Sequence, residues 1–82
     1  YNNNTNENDL TLFPNPNNGS FQIMSKHKNL EYEIYNLVGE KIKEGKVNNR
    51  YGKIFLNDLT SGIYLAKFKN NKITISKKFS VY

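Results

Sequence analysis

The sequence predicts an all-β domain, an antiparallel, immunoglobulin-like β-sandwich of about six to seven short strands. Three observations predict it. Apolar and polar residues alternate at a period of two along several short segments. Clusters of Pro, Asn, Gly, Asp and Ser separate those segments at intervals of about 8–12 residues. No stretch repeats apolar residues at i, i+3, i+4 and i+7 over three turns, so no helix beyond a single turn is expected.

Each element follows in chain order. Residues 1–9 (YNNNTNEND) are polar, Asn-rich and aperiodic, and read as a flexible linker; residues 10–82 read as the folded domain. Leu10 to Phe13 is a short strand that stops at Pro14-Asn15-Pro16-Asn17-Asn18-Gly19. Two prolines withhold two amide donors, so this cluster cannot lie inside a ladder. Ser20 to Met24 is a strand that points Phe21 and Ile23 to one face. A polar loop follows from Ser25 to Asn29, and then a strand from Glu31 to Leu37. There Tyr32 and Ile34 oppose Glu31 and Glu33, and a bulge near Asn36 would bring Tyr35 and Leu37 inward as well.

Val38-Gly39 is expected to turn into Glu40 to Glu44, whose charges suit an edge strand. Lys46 to Arg50 reads as connecting structure. Gly52 to Leu56 is a strand with Ile54 and Leu56 inward, and residues 57–62 (NDLTSG) are a second dense turn. Ile63 to Lys69 is the most apolar strand, expected to be central and covered on both sides. Asn70-Asn71 reads as a two-residue hairpin turn, because Asn tolerates positive φ. The last strand, Lys72 to Tyr82, places Ile73, Ile75, Phe79 and Val81 on one face.

Composition bounds the rest. The 82 residues allow one domain, and a chain this short buries only about 60–65% of its unfolded surface. Cysteine is absent, which removes disulfides and thiolate–zinc chemistry. Fifteen Asn and abundant Lys read as a compositional bias of the source rather than as chemistry. No apolar run approaches the ~18–20 residues of a spanning helix, so no transmembrane segment is expected. A net charge of +5 could attract nucleic acid, but the lysines read as scattered over strands and turns, so no nucleic-acid partner is expected. Because the first residue is Tyr1 and not Met, the chain reads as cut from something longer.

A search for chemistry returns little, and the expectation is no enzyme, no cofactor and no metal. His27 lies between Lys26 and Lys28 without convergent ligands and reads as a loop residue. Glu31 and Glu33 share a strand face at roughly 6.5–7 Å, but an open face offers no pocket to raise one pKa. Asn15, Asn17 and Asn18 offer oxygens without the carboxylate charge calcium needs. The glycines form no phosphate cradle. Ser20, Ser61 and Ser76 have no base in sight, and the sequons at Asn3 and Asn18 are expected by chance in so Asn-rich a chain. The six Tyr and five Phe alternate with polar residues, which fits core packing better than a sugar-stacking platform.

The order of the turn motifs is more informative than any single residue. Leu12-Phe13-Pro14-Asn15-Pro16 precedes Gly19-Ser20-Phe21; Ile34 to Gly39 (IYNLVG) follows. Ile54-Phe55-Leu56 then leads through Leu59 to Ser61-Gly62-Ile63-Tyr64-Leu65, and Ser76-Lys77-Lys78-Phe79 closes the chain. This arrangement resembles the type A C-terminal sorting domain of the type IX secretion system, found on exported proteins of Bacteroidota. The resemblance implies an immunoglobulin-like sandwich at the end of a cargo protein that reaches the periplasm by a signal peptide. It implies recognition by the outer-membrane translocon, removal by a surface sortase, and a final place at the cell surface or outside the cell.

Within the motif, Pro14, Asn15 and Pro16 would set a rigid corner and Gly19 the turn after it. Gly39 and Gly62 would supply positive φ, and Tyr64 would pack in the core. Lys77 and Lys78 are the candidates for contact with the machinery; lysines that merely guard an edge strand are the alternative. The competing function is a carbohydrate-binding or structural accessory module of a secreted enzyme. The domain is expected to be a monomer, with a strand-exchanged dimer open to it.

Overall fold

The computed structural model describes residues 9–57 and 59–82. Seven strands form: β1 (Leu10–Phe13), β2 (Ser20–Ser25), β3 (Leu30–Tyr35), β4 (Lys41–Val47), β5 (Tyr51–Phe55), β6 (Gly62–Lys69) and β7 (Thr74–Val81). They pair antiparallel in two sheets, ordered β1-β2-β5 and β4-β3-β6-β7. The two sheets face each other across one core, so the expected sandwich is the observed one.

Period-two alternation places one row of each strand inside. Phe21 and Ile23 of β2, Tyr32 and Ile34 of β3, Tyr64, Ala66 and Phe68 of β6, and Ile75, Phe79 and Val81 of β7 are buried. Leu10 and Ile54 complete the smaller sheet's contribution. The Phe79 ring meets Phe21 of the opposite sheet at 4.8 Å between centroids and stacks on Tyr64 at 5.8 Å. Such offset aromatic contacts add to the gain from area burial. On the far side of the sandwich the sheets close by contact with glycine. A Cβ on Gly52 would come within 2.8 Å of a Val47 methyl, and one on Gly45 within 2.6 Å of the Tyr32 hydroxyl. Bare backbone at those two places is what lets the sheets and the Tyr32 ring approach so closely.

The structure departs from the sequence reading in four places. The bulge of β3 falls between Ile34 and Tyr35 in its pairing with β4, and it does not turn the outer row inward. Tyr35 stays on the glutamate face, donating its hydroxyl to Glu33 Oε1 at 2.7 Å, while Leu37 is 73% exposed in the following turn. That turn is built by Asn36, whose Oδ1 accepts the amides of Val38 and Glu40. β4 runs on to Val47 where connecting structure was expected, because Val47 has a core position to fill.

β6 is central in its sheet, hydrogen-bonded along both edges, but only one of its faces is covered: Ile63 is 46% exposed. The β6–β7 connection spans residues 70–73 rather than two. Asn70 takes no positive φ and instead accepts the amides of Lys72 and Ile73 on its Oδ1, at 2.7 and 3.0 Å. This Asx-type turn achieves with a side chain what a type I′ turn achieves with backbone dihedrals.

Removing the aromatic bridge is expected to be severe. Phe79→Ala should cost about 3–5 kcal/mol, against a total stability on the order of 4–12 kcal/mol for a domain this size. Urea unfolding followed by tryptophan-free far-UV dichroism would read the loss as a lowered midpoint with a largely populated unfolded state.

Candidate functional site

The proline–asparagine segment after β1 folds into the feature that organises one end of the molecule. Both peptide bonds into Pro14 and Pro16 are cis, and both prolines are exposed. Asn17, next in line, is 1% exposed, one of two buried polar residues among those described. A buried amide must have its partners, and this one does. Its Nδ2 donates to the Pro14 carbonyl at 3.1 Å, and its Oδ1 accepts the Gly19 amide at 2.8 Å. Its backbone reaches into the other sheet: its N–H donates to Ser80 O at 2.9 Å and its carbonyl accepts Tyr82 N–H at 3.0 Å. Asn15 adds a third tie, its Oδ1 accepting Ser80 N–H at 2.9 Å.

Gly19 then turns the chain with φ 101, a conformation an L side chain rarely adopts. A Cβ there would meet Leu56 O at 2.7 Å, the same carbonyl-bearing residue whose amide donates to Gly19 O at 2.7 Å. The corner therefore binds β7 on one side and the end of β5 on the other. Its three asparagine oxygens all accept backbone N–H groups, since Asn18 Oδ1 takes Ser20 N–H at 3.1 Å.

The other predicted motif residues lie apart from this corner. Gly39 has φ 91 at the tip of the β3–β4 turn, and Gly62 has φ 154 at the start of β6. Tyr64 is buried and donates its hydroxyl to the Thr60 carbonyl at 2.7 Å, which fixes the loop before β6. Lys77 and Lys78 do not act as a pair. Lys77 is half-buried on the same row as Ile75 and Phe79, whereas Lys78 is exposed on the outer face. Both line a cleft of about 730 Å³ between β1 and β7, with Leu10, Thr11 and Leu12 on the opposite wall.

Elsewhere four of the described carboxylates, Asp9, Glu33, Glu40 and Glu44, have side-chain partners. Asp9 pairs with His27 at 3.1 Å and reaches Lys26 at 3.8 Å, closing the β2–β3 loop. The chain's N-terminal residues thus supply a partner for His27 that no local sequence pattern offers; residues 1–8 and Asp58 lie outside the described part. Glu33 is held below the ordinary 4.5 chiefly by the Tyr35 hydroxyl and then by Lys41, the reverse of what a general acid requires. Lys41 lies 3.3 Å from Glu33 and 2.9 Å from Glu44. Among the described residues no three His, Cys, Asp or Glu converge as a metal site. Five aromatics serve the core, as expected, and Tyr51 and Phe55 on the outer face of β5 are roughly 13 Å apart by strand rise.

One signal in the sequence escapes a residue-by-residue reading. From Leu59 to Tyr82 there are five lysines and no carboxylate, whereas the seven basic residues before Leu59 are balanced by all seven acidic ones. The whole net charge of +5 thus belongs to the β6–β7 hairpin and its flanks. The lysines are spread along the whole chain; it is the carboxylates that stop at Asp58, so the excess positive charge falls on the last two strands and the turn between them. A running charge sum would have found this where listing positions did not.

Known proteins resemble the chain in two ways. A family model described as a secretion system C-terminal sorting domain matches residues 11–82. A solved structure of PorZ, described as an essential bacterial surface component of the type-IX secretion system of Porphyromonas gingivalis, superposes with a TM-score of 0.79 at 15% identity. That match covers 92% of this chain and 12% of the PorZ chain, so the domain corresponds to a small part of the larger protein. At that identity the likeness speaks for the fold. No curated protein sequence matches the chain.

Two outcomes test the site. Asn17→Ala should cost about 1–3 kcal/mol, because it leaves the Gly19 amide and Pro14 carbonyl without their partner in a buried place. Amide exchange should then speed up at Ser80 and Tyr82 before the rest of the core opens. The Glu33 cluster sets a pH dependence. A carboxylate held below 4.5 contributes stability that is present above that pH and is lost as pH falls through the lowered folded value. Glu33→Gln should therefore lower the urea midpoint at pH 7, and the gap to wild type should narrow as pH falls below 4.5 and through the lowered folded value.

Proposed function

The chain belongs to the secretion system C-terminal sorting domain family, and on that premise we propose that it is the address by which a cargo protein passes the outer membrane through the type IX translocon. The folded domain, residues 10–82, acts as a removable C-terminal unit, with residues 1–9 as the linker to a cargo on its N-terminal side. A surface sortase cuts within that linker, and the cargo stays at the cell surface or is released.

The observation that carries this reading is the family match over residues 11–82, and the proline–asparagine corner supports it. The motif residues of that corner serve folding first: Pro14, Asn15 and Pro16 direct the chain to β7, and Gly19 returns it to β2. Gly39, Gly62 and Tyr64 shape the remaining turns, and Lys77 and Lys78 lie on the strand offered to the machinery. Recognition on this view reads a folded surface, and mutations of the corner act by loosening β7. On this reading the domain is the substrate of the processing step and not its catalyst: it belongs to a sorting-domain family, and Asp9, Glu33 and Glu44 are engaged in ion pairs.

Export of a fluorescent passenger tests the proposal. The passenger carries a signal peptide and residues 1–82, in a Bacteroidota strain with or without a working translocon. Translocon-dependent fluorescence outside the cell is the expected result, and deletion of residues 77–82 should abolish it. Retention of folded fusion in the periplasm of both strains would refute the sorting role.

A further inference from the structure

β7 is an edge strand, and its outer edge has two halves. Ser80 directs its N–H to Asn15 Oδ1 and its C=O to the Asn17 amide, so its backbone groups point away from β6. Backbone direction repeats at a period of two, and the N–H and C=O groups of Thr74, Ser76 and Lys78 therefore point the same way. The corner covers the C-terminal half of this edge. Among the described residues, no strand pairs with the N-terminal half; β1 stands across the cleft and is hydrogen-bonded to β2.

The other edge of the same sheet is managed differently. β4 pairs with β3 through a bulge and carries Lys41 and Glu44 in an ion-paired network with Glu33. Bulges and charged side chains, lysine above all, are the usual means of blocking edge-to-edge pairing. β7 has no bulge, and its only guard is cationic, Lys77 and Lys78, which repels a like-charged strand but not an acidic one. Its pairing with β6 runs through eight register partners without interruption, and no carboxylate lies on either strand. A regular, open, cationic edge is a template for strand addition.

We propose that the Thr74–Lys78 edge of β7 is a β-augmentation site for an extended protein segment bearing acidic side chains at alternate positions. The proposal rests on the sorting reading for the source of that segment, the export machinery, and on the edge alone for its chemistry. An incoming strand would extend the four-stranded sheet, exchanging ladder bonds with Thr74, Ser76 and Lys78. Its outer-face side chains would neighbour Lys78, whose cross-strand partner Leu65 offers apolar contact beside the charge. A second copy docking through this edge would set two lysine-bearing strands without carboxylates against each other, which is unfavourable. The charge selects an acidic partner.

The export fusion separates this proposal from the one beneath it. Ser76→Pro removes an outward amide donor, a substitution edge strands accept; Ser76→Ala alters the exposed side chain and keeps the donor. Lys78→Glu reverses the charge at an exposed position. We expect Ser76→Ala to export like wild type, and Ser76→Pro and Lys78→Glu to fall at least tenfold while the purified 82-residue chains keep a cooperative thermal transition. Should Ser76→Pro prove unfolded, Lys78→Glu decides. Undiminished export of folded Ser76→Pro, or of Lys78→Glu, overturns the proposal while leaving the sorting role intact. A wild-type fusion that is not exported overturns the sorting role instead. Self-association of the purified chain in sedimentation, abolished by Ser76→Pro, would assign the edge to a second copy and overturn the acidic partner.

Discussion

A single buried asparagine holds the two sheets in register at one end of this sandwich. The sheets meet through side chains, and side-chain packing alone tolerates sliding more readily than hydrogen bonding does. Asn17 removes that freedom. Its amide and carbonyl bind Ser80 and Tyr82 in the larger sheet, while its side chain fixes Pro14 and Gly19, between which the chain leaves β1 and enters β2 of the smaller one. Gly19 passes the constraint on to β5 through Leu56. The Phe21–Phe79 contact lies across the same junction, so the hydrogen-bonded corner and the aromatic core support one another. In a domain without disulfides, this is the local substitute for a covalent tie.

That constraint has an electrostatic counterpart. The first part of the chain is neutral in sum, and its charges meet as pairs: Asp9 with His27, Lys41 with Glu33 and Glu44. The last two strands carry the net charge. Some of it is moderated across the sheet, where Glu31 and Glu33 of β3 stand opposite Lys69 and Lys67 of β6. β7 is one strand further out and has no β3 beside it. Positive potential therefore grows toward the edge where hydrogen-bonding capacity is open, and the two properties coincide on Lys78. Long-range attraction and short-range strand pairing would thus draw on the same few residues.

The fold was largely legible because the sandwich is written in local signals. Phe21 and Ile23, Ile54 and Leu56, and Ile75, Phe79 and Val81 alternate cleanly, and each set is buried where alternation put it. Reading failed where a side chain did the work of backbone. Asn36 and Asn70 build turns by accepting amides, and neither adopts the positive φ by which Asn-rich turns are usually judged. Exposed Leu37 misled for a related reason: its hydrophobicity suggested a continuing strand, yet Asn36 had already turned the chain.

The candidate site was less legible, since its partners are far apart in sequence. Asn15 and Ser80 are 65 residues apart, and no local pattern announces that the one caps the other. Asn17 stood among three similar asparagines, and only burial distinguishes it.

The same residues that fold the corner also decide how much of β7 remains open. By occupying the outward groups of Ser80 and the amide of Tyr82, Asn15 and Asn17 close the C-terminal half of the edge. The turn at Asn70 sets the other limit, since β7 begins at Thr74. What lies between is a window of three outward residues, Thr74, Ser76 and Lys78. A window that short gives few ladder bonds, each worth about 0.5–1.5 kcal/mol net, so pairing through it is weak unless charge assists. Weak, charge-assisted pairing suits a signal that must be read and then let go. Under the proposed edge pairing, a structural motif would still bear on recognition: its residues need not touch a partner to determine which part of the last strand a partner can reach.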